Sequence, residues 1–444
     1  MPLRRFAAAI VLVTLFSVPA PATEQTASDA PRQKTREKSP TVRLVSRAVN
    51  ATSQPSWPQF LGPNRDNRSP ETGLMAKWPE EGPALLNTVS GLGIGFSDIS
   101  IADGVVYTMG NREERELVFA YRLDSGEKVW ELDCAAAYHN GFGDGPRSTP
   151  TIDGEHLYAL GATGDLVCLE RKSGSVVWRK NILKDFGAGV PGWGICESVL
   201  IDGDRLICTP GGKDATLVAF SKAAGEIIWK SAVPQNDRIG YASIIAIEVG
   251  GVRQYVQFTA NGTIGIRAAD GKFLWRDDSA ANGTANCCAA VAAGNLVFTA
   301  SGYGKGGSMV ELAAQGDETS CTFAWHANKM QVHHGGLVLV EGHVYASSDS
   351  GGLTCLELKT GDFKWQNRSV GKGSVTWVDG KLIVRSEQGP VAYVAATPEA
   401  YTELGRFSPK VRSNSPAWSY PVVTGGKLFL RDQDILQVYD VKGN

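Results

Sequence analysis

Six side chains in this 444-residue chain have types suited to chemistry: Asp98, Arg147, Trp193, Glu197, Arg238 and Trp418. A carboxylate such as Asp98 can serve as a general base, and a guanidinium at Arg147 or Arg238 can grip an anion. The indole of Trp193 or Trp418 can stack on a planar ring, and Glu197 can ligate a hard cation. Calcium, however, takes about six to eight oxygen ligands, and no cluster of Asp and Asn completes such a shell around Glu197. The adjacent pair His333–His334 suggests a metal site less than its letters imply, because neighbours in an extended strand point to opposite faces. No metal centre is therefore expected. The adjacent thiols Cys287 and Cys288 read as ordinary cysteines or a structural bridge. The sequence holds no G-x-S-x-G elbow, P-loop, kinase loop set or H-E-x-x-H pair, and the glycine-rich stretch 141–145 lacks a strand-to-helix setting.

Whether these six meet depends on the elements that carry them, and those elements repeat. A glycine precedes a tryptophan by four residues at Gly126/Trp130, Gly174/Trp178, Gly225/Trp229, Gly271/Trp275 and Gly361/Trp365, with Trp325 as a degenerate sixth copy. The tryptophans recur every 40–51 residues, the length of one four-stranded propeller blade. A second marker, a glycine opening a short apolar strand, recurs eight times: at Gly104, Gly154, Gly203, Gly251, Gly294, Gly342, Gly380 and Gly426. Within each unit, apolar runs alternate with Asp-Gly, Thr-Gly and Ser-Gly turns, which is the pattern of an antiparallel meander. One such sheet cannot bury both faces, so the units must stack face to face and close into a ring. The fold class expected is all-β, an eight-bladed β-propeller. Its tryptophans should pack between blades.

The eighth unit has only three strands' worth of chain, so its outer strand must come from elsewhere. The segment at about 82–90, GPALLNTVS, is expected to supply it. The residues six or seven before each marker glycine should then ring one mouth of the channel, among them Ser97, Asp98, Arg147, Ser148, Cys196, Glu197, Cys287, Cys288, Ser419 and Tyr420. Trp193, Arg238, His333, His334 and Trp418 lie just upstream. Convergent polar and aromatic groups in a concave mouth make this the default binding site.

Lys and Arg number 44 against 46 Asp and Glu, a formal net charge of -2 that offers no basic stripe for a nucleic acid. Arg4 and Arg5 precede an apolar run from Phe6 to Phe16 and the small set Ala20, Pro21, Ala22, which reads as a signal peptide, 1–22, of an exported protein. Residues 23–56, rich in Thr, Ser, Gln, Pro and basic residues, read as a disordered linker, and 57–444 as a single domain. No later run reaches the roughly 18 apolar residues of a membrane span. Cys168 and Cys355, inside strand-like runs, are expected to be small buried hydrophobes.

The motifs SGEKVW, KSGSVVW and AAGEIIW, with strands such as LYALGATGDLVCLE, resemble the PQQ-like (pyrroloquinoline-quinone) repeat family across residues 57–440. That family includes quinoprotein alcohol dehydrogenases, BamB-like outer-membrane assembly factors and many exported bacterial propellers. WPQFLGPNRDN, WGICESVLIDGDRLICTPGGKDATLVAF and SGYGKGG look most like the last group, which is abundant in planctomycete-type bacteria. Leu61 departs from its usual Arg, and Asn87 from the usual Trp of the closing strand. The resemblance implies a periplasmic or extracellular binding or scaffolding module that takes an envelope protein, peptide or small-molecule ligand at its funnel, as a monomer and with no cofactor required. The alternative it implies is a PQQ-dependent dehydrogenase acting on an alcohol or sugar. PQQ is anionic and planar, so Arg147 or Arg238 would meet its carboxylates, Trp193 or Trp418 would stack, Glu197 would hold calcium and Asp98 would act as base. Adjacent cysteines likewise accompany the cofactor in those dehydrogenases, whose chains are longer. WD repeats are excluded because no blade tryptophan here precedes Asp.

Overall fold

The computed structural model describes residues 55–349 and 351–443. The expected signal segment and nearly all of the linker lie outside the described residues. Eight antiparallel sheets follow one another as blades 1 to 8, spanning 100–136, 151–181, 200–231, 245–277, 291–327, 337–367, 373–407 and 422–440. The fold is the expected eight-bladed propeller. Blade 8 brings three strands of its own, and Leu85–Ser90 supplies the fourth by antiparallel pairing with Ile435–Asp440. Among the described residues no helix is long and apolar enough to cross a membrane.

The Gly-x-x-x-Trp marker turns out to be two half-contacts. Trp229, on the outer strand of blade 3, donates its Nε1 to Ala268 O of blade 4 at 3.2 Å and lies on Gly271, where a Cβ would come within 2.5 Å of the ring. Gly271 also turns through φ +78°, a conformation that side chains disfavour. The same contact joins Trp130 to Gly174, Trp178 to Gly225 and Trp325 to Gly361. Each of these four glycines thus serves the tryptophan of the preceding blade, and the spacing persists because it welds neighbours together. Every outer strand also carries a bulge beside this position, which twists the exposed edge away from strangers.

In blade 7 the tryptophan position is Gly405, opposite Tyr393. Trp78, from the segment before blade 1, fills the vacancy: its ring stacks on Tyr393 with centroids 4.5 Å apart and planes at 6°, and meets Phe407 edge-on at 5.4 Å. A Cβ on Gly405 would lie 2.7 Å from that of Trp78. In blade 8, Asn87 takes the equivalent place beside Gly126. Cys168 and Cys355 are fully buried in inter-blade clusters.

Residues 55–69 form a second N-terminal device, a plug across the channel at its hairpin end. Trp57 pairs with Ile101 of blade 1, Pro58 O accepts from Ile152 N of blade 2 at 2.7 Å, and Arg68–Ser69 adds in parallel to the innermost strand of blade 7. Arg65 is buried and donates to Ser198 O, Val199 O and Ile244 O at 2.8–3.0 Å. Pro55 and Ser56 already pack on blade 8, where Ser56 N donates to Thr424 Oγ1.

Candidate functional site

The loops between blades gather at the opposite mouth, where inner strands begin. Here the structure sets the marker glycines out of register by one residue. Gly104 is the second residue of its two-residue hairpin, whereas Gly154 and Gly203 are the first. The true equivalents of Asp98 are therefore Thr149 and Ser198, with Tyr420 in blade 8. They form a blade-to-blade relay: Asp98 N donates to Thr149 Oγ1, Thr149 N to Ser198 Oγ, and Ser198 N to Ser243 Oγ, at 2.8–3.2 Å. Tyr420 N closes the seam by donating to Asp98 Oδ1 at 2.6 Å.

Asp98 and Glu197 lie beneath the surface and apart. Burial pushes the Asp98 carboxyl up to about 7, against the pull of Tyr420 N–H and of the buried Arg385 and Arg431. Glu197 is fully buried; its Oε2 accepts from Thr209 N at 3.0 Å while Oε1 has no hydrogen-bond partner. Burial raises it to about 8, with Arg65 of the plug as the opposing charge. Such a raised carboxyl favours the folded state fully below its unfolded value near 4.5, and that contribution fades as pH rises through 8. Relative to wild type, Glu197→Gln should therefore melt higher at pH 8.5 than at pH 5. A difference in melting temperature that is flat across this range would show that the carboxyl titrates normally. Taking the difference cancels His333, whose depressed value works in the opposite sense below its unfolded value of 6.5.

The exposed rim is built largely from aromatic side chains. Arg147 lies 5.0 Å from the Phe96 ring and donates to Gly143 O and Gly145 O, so the loop 141–145 is its socket. Phe96 meets Trp418 at 4.6 Å, and Trp418 meets His334 at 5.4 Å. Trp193 belongs to a second group, touching Phe142 at 5.7 Å and Tyr241 at 5.5 Å. Arg238 is exposed on the loop between blades 3 and 4, without a side-chain partner among the described residues. The structure thus brings Arg147 and Trp418 together through Phe96, joins Trp193 to the Arg147 loop through Phe142, and leaves Arg238 exposed while Asp98 and Glu197 are buried below.

A further polar cluster joins blades 5, 6 and 7 on this rim. His333 Nε2 and Tyr303 OH are 2.6 Å apart, and Lys372 Nζ lies 2.9 Å from His333 Nδ1. Glu387 Oε2 accepts from Trp418 Nε1 at 3.2 Å and stands 3.5 Å from Lys372 Nζ. His333 and His334 sit in a bend rather than a strand, so their rings are only 6.0 Å apart. Burial and the Lys372 ammonium hold His333 down to about 4 and His334 well below its usual range. Although His334 Nε2 lies 3.4 Å from Glu387, neither of its ring nitrogens makes a hydrogen bond. Cys287 and Cys288 are free thiols pushed upward by burial. Tyr303 lies in the SGYGKGG stretch, whereas Lys372 and Glu387 carry no sequence mark, since they stand at positions that do not repeat.

A β-propeller of eight four-stranded blades welded by glycine–tryptophan contacts defines the class. The family profile described as outer membrane protein assembly factor BamB matches residues 114–367, more than half of the chain, and the protein belongs to this family of PQQ-like repeat propellers. BamB from Moraxella catarrhalis is similar in structure, with 14% identity and a TM-score of 0.54, over 81% of this chain and 98% of that one. Quinohemoprotein alcohol dehydrogenase from Comamonas testosteroni is similar at 11% identity and a TM-score of 0.60, over 89% and 82%. The computationally designed Ika8 protein matches at 8% identity and a TM-score of 0.54, over 81% and 100%. No curated protein matches the chain. At these identities the likeness is one of fold, and an assembly factor, an enzyme and a design share it.

The residues at this mouth do not fit a calcium-held quinone. Among the described residues no three His, Cys, Asp or Glu side chains gather as metal ligands. Glu197 is sealed below the rim, and Arg147 spends donors on its own loop.

Proposed function

We propose that this protein is an exported binding or scaffolding module of the cell envelope that holds a peptide segment of a partner protein at its aromatic funnel. One observation carries the reading: the rim presents half-exposed aromatic side chains on loops anchored by a rigid ring, with Phe142 66% exposed. Large amphipathic rings fixed in place are what peptide recognition uses for anchors. The basic, apolar, small-residue order of residues 1–22 supports export, and the assembly-factor description of its family supports a protein partner. Asp98, Arg147, Trp193, Glu197, Arg238 and Trp418 enter this reading unequally. Arg147, Trp193 and Trp418 stand on the rim to contact the ligand, Arg238 is placed to meet its charge, and Asp98 and Glu197 brace the floor.

The test is a titration of purified protein followed by tryptophan fluorescence and melting temperature. The probe is a soluble peptide copied from an outer-membrane β-hairpin; parallel arms use PQQ with calcium. The peptide should raise the melting temperature by mass action, and Phe142→Ala and Trp418→Ala should each weaken it about tenfold. A response to PQQ and calcium alone, lost in Glu197→Gln, would replace this reading with the dehydrogenase one.

A further inference from the structure

The hairpin end of the channel holds a cavity of about 640 Å³ between the plug and the inner strands of blades 2 to 6. Its wall is largely main chain. In each blade a two-residue hairpin follows the innermost strand. The residue just before the hairpin is paired across it, so the residue before that turns its N–H and C=O into the channel. At Ile101 both groups bond to Trp57, at 2.9 and 2.8 Å. At Ile152 and Trp377 the N–H donates to Pro58 O and Asn67 O. At Ile201, Ala292 and Leu339 the equivalent groups find no partner among the described residues, and these three face the cavity. Of the cations on the wall, Arg253 forks onto Asp202 at 2.6 and 2.8 Å and Arg68 lies 4.6 Å from the Trp377 ring. An edge that offers N–H and C=O groups alike matches an extended main chain, which carries both donors and acceptors, better than an anion, which only accepts.

The molecule shows how such an edge is read. The dipeptide Trp57–Pro58 bridges the neighbouring blades 1 and 2 through Ile101 and Ile152. We infer that the cavity is a second binding site, in which an extended peptide of small uncharged residues bridges blades 5 and 6 through Ala292 and Leu339 in the manner of the plug. Strand addition of this kind draws affinity from main-chain hydrogen bonds and tolerates varied side chains. The site is independent of the aromatic funnel, which lies at the other mouth.

The experiment follows amide exchange at Ala292 and Leu339 in the full chain, using acetyl-Thr-Val-Thr-Val-Thr-amide as the probe. Both amides exchange quickly in the free protein and slow about tenfold with saturating peptide. Ala292→Pro removes a donor that the sheet does not use and should abolish binding by calorimetry, whereas Phe142→Ala should leave it unchanged. Should that proline variant not fold, exchange in the wild type decides the matter alone. Amides already slow without peptide would mean that the chain fills its own cavity. That result, or exchange unaltered at millimolar peptide, overturns the inference.

Discussion

Arg431→Met should lower the stability of the propeller by about 3–5 kcal/mol, more than any exposed substitution. Arg431 is fully buried at the seam between blades 8 and 1. Its guanidinium donates to Leu92 O, Gly93 O, Ser97 O and Gln433 O at 2.9–3.3 Å and also to Thr108 Oγ1. Burial brings it down to about 10, against the pull of Asp98 and Asp434, so it remains a cation at neutral pH. Methionine keeps much of the volume but strands those acceptors away from water. Urea unfolding measures the loss, and exposed Arg122 provides the control, expected within about 0.5 kcal/mol of wild type as Arg122→Met. Equal midpoints for the two variants would show that the seam does not depend on Arg431.

The second large effect is expected at Trp78, which no repeat marks. Trp78→Ala empties the space between Tyr393, Phe407 and Gly405 and should cost about 3–5 kcal/mol, in the range of buried tryptophan truncations. A matched comparison is Trp275→Ala, which removes a repeat tryptophan of similar burial, 3% against 4%. If Trp78 truly completes blade 7, the two variants lose stability to a similar degree in urea. A Trp78→Ala protein within 1 kcal/mol of wild type, as expected of surface substitutions, would demote that segment to decoration.

Trp78 also marks where sequence reasoning stops. The eight hairpin glycines announce eight blades because each repeats the same turn, and the short eighth unit announces the closing strand, which pairs where its position implies. Periodicity is silent about anything that occurs once. The plug at 55–69 and the indole at Trp78 are single devices, so they leave no echo elsewhere in the chain. The register of the mouth was legible only to within one residue, since Gly104 and Gly154 occupy different hairpin positions. A one-residue slip moves a side chain to the other face: counting six residues back from the marker glycines matches Asp98 with Ser148, whereas its equivalent is Thr149. The rim cluster of Tyr303, His333, Lys372, Glu387 and Trp418 crosses several blades, and no local spacing encodes it.

The seam has a consequence for biogenesis. Blade 8 waits for partners early in the chain: Gly91 and Gly93 bond Asp434 across some 343 residues, and Arg431 reaches back to Leu92. Contacts this remote form late, after the intervening blades have been ordered. A polypeptide cut short before blade 8 leaves blade 7 uncovered and a bare sheet edge beside it. The finished circle therefore sets whole molecules apart from fragments, since only a fragment presents that open edge.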